Sequence, residues 1–212
     1  MLVTIDPSQN SLGMAFFSLA GLPHTALHIK RKVSTPGDWH SQAIQMATAV
    51  SHTVAVYRYD EALTVLIELP ANWFGVRGMH SKNSGAIQKL YFTTGAICAF
   101  LQTEPTCVAI WGVSPSSWKG QVSKDIMLNR ARNYCTTHEI DIQGCADDVA
   151  EALLLGKYAF EHKEISNDFT LRFQKPIVQV SQSSYVERVG TKVDNVPEVR
   201  DFSMLDFTYY SR

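Results

Sequence analysis

The run Leu63 to Ile67 (LTVLI) is nearly all apolar, and Glu68, Leu69 and Pro70 follow it directly. A strand with one wet face alternates apolar and polar residues, whereas a near-continuous apolar run is a strand covered on both faces, as in a parallel sheet held between helices. Glu68 then stands at the carboxyl end of a buried strand. A carboxylate in such apolar surroundings is costly unless something binds it.

The neighbouring segments complete an α/β pattern. Val3 and Ile5 alternate with polar residues, and Met14 to Ser18 follows the turn-like PSQNSLG segment, which predicts a hairpin. A third run, Leu27 to Val33, extends it to an antiparallel meander that Ser34, Thr35, Pro36 and Gly37 terminate. Ala43, Ile44, Ala47, Val50, Val54 and Tyr57 recur at helical steps within 39–57. Residues 69–80 read as a loop rich in Gly, Pro and aromatics, and Ile87, Leu90, Thr94, Ile97 and Leu101 mark a second helix. Val108 to Val113 is a short strand, and helices are expected from Val122 to His138 and from Ala146 to Phe160. The order βββαβαβαα predicts an α/β fold with a mixed five-stranded sheet, three strands antiparallel and the rest parallel, flanked by helices. From about Ser166 the sequence alternates Phe169, Leu171 and Phe173, so residues 1–165 read as one domain and 166–212 as an ordered extension that packs on it or on a partner.

An apolar share of 45% and a charged share of 18% exclude disordered and coiled-coil classes. No stretch approaches the roughly 18 consecutive apolar residues of a membrane span, and MLVTIDPSQN has no basic leader region, which predicts a cytoplasmic protein. Cys98, Cys107, Cys135 and Cys145 match neither a zinc spacing nor a disulfide framework, and read as buried, reduced thiols. The net charge of -1 is unevenly spread: residues 69–138 hold two acids against seven bases, while residues 139–212 hold thirteen acids against eight. The middle third is the candidate phosphate-facing region.

Four carboxylates stand where metal-dependent hydrolysis needs them. Phosphodiesters are hydrolysed by two metal ions about 4 Å apart, held by acids that converge from separate elements. Asp6 ends one apolar strand, Glu68 ends another, and Asp148 and Glu151, three apart, share one face at the start of a helix. Other readings stay open. Asp6-Pro7 fits a turn, Asp148-Val-Ala-Glu151 fits a capping box, and Asp147 is a competing ligand or cap.

These segments resemble the RuvC-type Holliday-junction resolvases of the RNase H-like superfamily, particularly the small phage versions. LVTIDPSQNSLGMAFFS is similar to the family's opening strand, VLIELP to its second acidic strand, VSPSSWKGQVSKDIMLNRA to its Pro-containing basic segment, and ADDVAEALLLGKYA to its final helix. The resemblance implies that Asp6, Glu68, Asp148 and Glu151 form a metal-binding tetrad for magnesium or manganese, and that Lys119 and Lys124 support cleavage. It departs at Glu151, where the family usually has Asp, so Asp147 competes for the fourth ligand. The implied protein is a homodimer that binds a four-way DNA junction and makes paired symmetric nicks, with the stripe Ile87, Leu90, Ile97 and Leu101 a candidate two-fold interface against the plainer reading of core. For a phage protein the expected place is the host cytoplasm.

On that reading Arg77, Lys82, Lys89, Lys119, Lys124, Arg130 and Arg132 are candidate phosphate contacts, and Trp73, Phe74 and Trp118 are candidates for stacking on an unpaired base. Solvated surface and core packing are the respective alternatives. Within the same fold the rival activity is cleavage of other branched DNA or of RNA–DNA hybrids. Outside it stand an ATP-binding module of the actin and sugar-kinase type, which needs phosphate-binding glycine loops and a much longer chain, and a non-catalytic DNA-binding derivative, which loss of an acid would mark. All four acids are present.

Overall fold

Strands β1 (Leu2–Pro7), β2 (Ser11–Phe17) and β3 (Pro23–Arg31) form the expected antiparallel meander. The structure is a computed structural model, and it describes residues 1–8, 10–32, 38–57, 61–70, 85–142, 145–165, 171–173, 178–179 and 205–211. Helix α1 (Trp39–Tyr57) leads to β4 (Leu63–Glu68), helix α2 (Ala86–Gln102) to β5 (Cys107–Val113), and three helices follow: α3 (Pro115–Trp118), α4 (Lys124–Thr137) and α5 (Asp147–Glu161). Strand β4 runs parallel to β1 and to β5, so the apolar LTVLI run is an inner strand with a neighbour on either side.

The sheet is wider than five strands. Its order is β8-β5-β4-β1-β2-β3-β9, where β8 (Val178–Gln179) joins β5 and β9 (Leu205–Ser211) joins β3, both antiparallel. A separate hairpin pairs β6 (Lys163–Ile165) with β7 (Leu171–Phe173). The five-stranded expectation therefore undercounts. The extra strands come from the C-terminal extension and cover the open backbone groups of both edge strands, a role that short strands fill without a strong side-chain pattern.

Side-chain alternation divides the core into two layers. Val3, Ile5, Val65 and Ile67 point to the side covered by α1 and α2, with Val50, Val54, Ile97 and Leu101. Leu2, Ala15, Phe17 and Leu66 point to the other side, with Met127 and Ala131 of α4 and Leu153 and Leu155 of α5. Each fully buried Leu, Ile or Phe contributes about 1.5–3 kcal/mol. Of the stripe offered as a two-fold interface, Ile97 and Leu101 belong wholly to this core, whereas Ile87 and Leu90 are half-buried. The four cysteines are free and buried. Burial pushes the Cys98 and Cys107 thiols up to about 11 and Cys135 up to about 12, consistent with unreactive packing groups.

Two glycines seat α5 on the sheet. A Cβ on Gly13 would lie 2.0 Å from the Asp148 carbonyl oxygen, and one on Gly156 would lie 2.1 Å from the Phe17 ring. Only a residue without a side chain permits either approach. Buried Thr4 then pins the helix, donating its hydroxyl to the Ala152 carbonyl at 2.7 Å.

Candidate metal centre

The parity that splits the core also aims the acids. Asp6 follows Leu2 and Thr4 on β1, and Glu68 follows Thr64 and Leu66 on β4, so both carboxylates project toward α5. The parallel register pairs Ile5 with Ile67, which leaves Asp6 and Glu68 adjacent at the carboxyl ends of neighbouring strands. Because Asp6 is paired with Gly13, the start of α5 comes down beside it. Glu151, in the second turn of α5, completes the group: Asp6, Glu68 and Glu151 each offer an oxygen atom within 4.8 Å of the others.

This arrangement is electrostatically costly by itself. Burial pushes the Asp6 carboxyl well above the usual range, and Glu68, Glu151 and Asp148 push it further, with Lys119 opposing. Burial also raises Glu68, although Lys119 and Trp118 favour its charged form. Lys119 is held above its ordinary value despite burial, because Asp6, Glu68 and Glu151 surround it. Its Nζ donates to Glu68 Oε1 at 3.0 Å and pairs with Glu151. The indole Nε1 of Trp118 donates to Glu68 Oε2 at 2.7 Å. Both residues come from the end of α3, a short helix that begins at Pro115 directly after β5 and was absent from the sequence expectation.

The remaining acids are engaged elsewhere. Asp148 accepts a hydrogen bond from Ser11 and a longer one, 3.4 Å, from Ser8, and His28 Nε2 lies 3.7 Å from the same oxygen. Burial opposes its charge, yet His28, Ser11 and the more distant Lys124 hold the Asp148 carboxyl below the usual range. Asp147 forms a surface ion pair with Lys124 at 3.0 Å, the two side chains 43% and 73% exposed, outside the three-carboxylate group. The capping-box reading fails: the N-cap is Ala146, in extended conformation and without a side-chain cap. The helix start is secured instead by its contact with β2 at Gly13 and by the Asp148 contacts to Ser8 and Ser11.

The expected nucleic-acid residues scatter more widely. Trp118, Lys119 and Arg130 line a groove of about 780 Å³ between α4 and α5, together with Tyr134, Lys157 and Tyr158. Trp118 and Lys119 also contact Glu68, so this groove opens directly beside the carboxylates. Lys89 lines a separate, small cavity with Asn10, Arg31 and Trp39. Trp73, Phe74, Arg77 and Lys82 lie outside the described residues. Sequence reasoning missed Ser8, Ser11 and His28, which hold Asp148, and the part Trp118 plays in orienting Glu68. The alternation of β3 places His28 opposite Gly13 and so under the start of α5, but that signal needs the pairing register before it can be read.

Three buried or half-buried carboxylates with no sulfur or imidazole among them make a hard oxygen donor set. Burial and the neighbouring carboxylates push Asp6 up even with Lys119 beside them. Both observations fit a hard divalent cation.

No protein-family model matches the chain, and no curated protein does. Solved structures do. Thermus thermophilus RuvC in complex with a Holliday junction substrate superposes with a TM-score of 0.54 at 14% identity, covering 76% of this chain and 93% of that one. A second Thermus thermophilus RuvC structure gives a TM-score of 0.53 at 15% identity, covering 75% and 92%. The resemblance read in four sequence segments is thus borne out as architecture, from the antiparallel meander to the acid-bearing final helix. The chain has the fold of RuvC, an RNase H-like α/β fold.

Proposed function

We propose that this chain is a structure-specific endonuclease that resolves four-way DNA junctions by metal-dependent phosphodiester hydrolysis. The observation that carries the reading is the convergence of Asp6, Glu68 and Glu151 at one end of the sheet, in a fold whose solved relatives include a RuvC–Holliday junction complex. Asp6, Glu68 and Glu151, with Asp148 nearby, would hold magnesium or manganese, two ions per site. Such ions supply an activated water and charge stabilisation on the leaving oxygen.

The protein's own groups do the rest. Trp118 orients Glu68, and the Ser8, Ser11 and His28 cluster sets the position of Asp148. Lys119 and Lys124 are offered as phosphate contacts flanking the cut. Arg130 and Trp118, on the groove beside the site, are offered to the departing arm, and Lys89, Trp73, Phe74, Arg77 and Lys82 to more distant DNA. Paired nicks require two sites, which supports a homodimer with one active site per strand. Residues 1–165 are proposed as the nuclease unit and 166–212 as its extension.

A substrate panel tests this reading. Four-way junctions, flaps, linear duplex and RNA–DNA hybrid are incubated with the wild type and Mg²⁺ or Mn²⁺, and sedimentation gives the oligomeric state. Symmetric nicks confined to the four-way junction by a dimer are expected. Preferential cutting of hybrid or flap by a monomer would replace the junction reading with another nuclease activity on the same centre.

A further inference from the structure

Lys119 lies among the carboxylates that would hold a metal ion. Its Nζ lies 3.0 Å from Glu68 Oε1 and 2.9 Å from Oε2, and it also pairs with the Oε2 of Glu151. Two of the three carboxylates that form the candidate metal centre therefore already share one cation. The side chain is only 16% exposed, so this is an internal counter-ion and not a surface pair. Its backbone is fixed as well: Lys119 and Gly120 both donate to the Pro115 carbonyl, at 2.9 and 3.1 Å, and Gly120 turns the chain with a φ of 60°. The anchor is rigid, and four flexible methylenes separate it from the charge.

A divalent ion bound by Glu68 and Glu151 takes carboxylate oxygens at roughly 2.0–2.1 Å. It would compete with the ammonium for these carboxylates and would repel it at short range. The two cations therefore oppose each other at this site.

We propose that Lys119 is a tethered counter-cation that occupies the metal position in the metal-free protein, is expelled from Glu68 and Glu151 when a divalent ion binds, and then presents its ammonium to the scissile phosphate. The inference rests on the metal centre proposed above. It makes Lys119 the link between the two ligands. Metal frees a positive charge for phosphate, and phosphate, by holding that charge outside the cluster, favours metal in return.

The test needs no cleavage. The full chain and Lys119→Met, which keeps most of the stem and removes the charge, are titrated calorimetrically with Mg²⁺ and Mn²⁺ and melted in EDTA. With its competitor gone, the variant is expected to bind metal about tenfold more tightly and to melt below the wild type in EDTA. Acetylation by an N-hydroxysuccinimide ester, read by mass spectrometry on the wild type, avoids any folding defect of the variant. Lys119 should react slowly in EDTA and markedly faster in Mg²⁺, while exposed Lys124 reacts readily in both. Metal binding by the wild type with no change in Lys119 labelling, or equal or weaker metal affinity in a folded Lys119→Met, would overturn the exchange while leaving the metal centre intact. Absence of metal binding in both proteins would overturn the centre and the exchange together.

Discussion

Asp6 is held in the fold against its own electrostatics. Its carboxyl is pushed well above the usual range, first by burial and then by Glu68 and Glu151. A folded carboxyl with a raised value binds its proton more tightly than the unfolded chain does, so acidification through the shifted range adds stability and the ionised form subtracts it at neutral pH. Asp6→Asn is therefore expected to stabilise the metal-free protein by on the order of 1 kcal/mol and to abolish the rise in melting temperature that Mg²⁺ gives the wild type. Thermal melts in EDTA and in Mg²⁺ check both effects. Asp148 has the opposite sign. Its lowered value contributes stability that is present above the ordinary carboxylate range and is lost as pH falls through the folded value. Removing one of its donors by Ser11→Ala should cost about 1 kcal/mol at neutral pH and much less at acid pH, which urea unfolding at two pH values would show. At this scale Asp6 and Glu68 were legible because an acid at the end of an apolar strand has few uses. The choice among Asp147, Asp148 and Glu151 was not, because the helix alone puts all three near one face. Their surroundings differ through Ser8 just after β1, Ser11 and His28 on the sheet and Lys124 on α4, partners that only the tertiary structure brings near.

Helix α5 carries Glu151 to the strand ends, and Gly13 sets how close the helix comes. A methyl there would meet the Asp148 carbonyl oxygen at 2.0 Å, an approach that backbone atoms cannot relieve unless the helix moves. Gly13→Ala is expected to lose about 1–3 kcal/mol and to weaken metal binding, as urea unfolding and calorimetric titration would show. Gly95 is the control: it lies inside α2 with open space around its missing Cβ, so Gly95→Ala should gain roughly 0.5–1 kcal/mol. The long helices and inner strands were legible from apolar period alone, and α1 and β5 fall within a residue of the expected bounds. Strand β3 starts earlier than read, at Pro23, because His24 and Thr25 break the apolar signal while the backbone still pairs with β2. The edge strands β8 and β9 escaped notice for the same reason. An edge strand is recruited by unpaired backbone groups, and a two-residue strand such as β8 has no period to detect.

In the whole molecule, the near-neutral charge of -1 conceals an acid-poor middle and an acid-rich end, and Lys119 of the first meets Glu151 of the second beside Glu68. Among the described residues no helix is long and apolar enough to cross a membrane. The order of four short segments carried the fold further than any one of them, and the match to RuvC structures at 14–15% identity shows why family-level sequence comparison is silent while the architecture agrees. The C-terminal strand β9 belongs to the same sheet: Leu205 is buried, and β9 pairs with β3 over seven residues. Deleting residues 205–212 is expected to lower the melting temperature by several degrees, roughly 1–2 kcal/mol for a chain of this size, as differential scanning calorimetry would show. The most direct measurement of the central claim is the nicking of a labelled four-way junction by the wild type, Asp6→Asn and Glu68→Gln, in Mg²⁺ and in EDTA. The account predicts paired nicks by the wild type in Mg²⁺ alone, with both variants binding the junction but cutting at least about 100-fold more slowly; variants that cut like the wild type, or a wild type that leaves the junction intact, would contradict it.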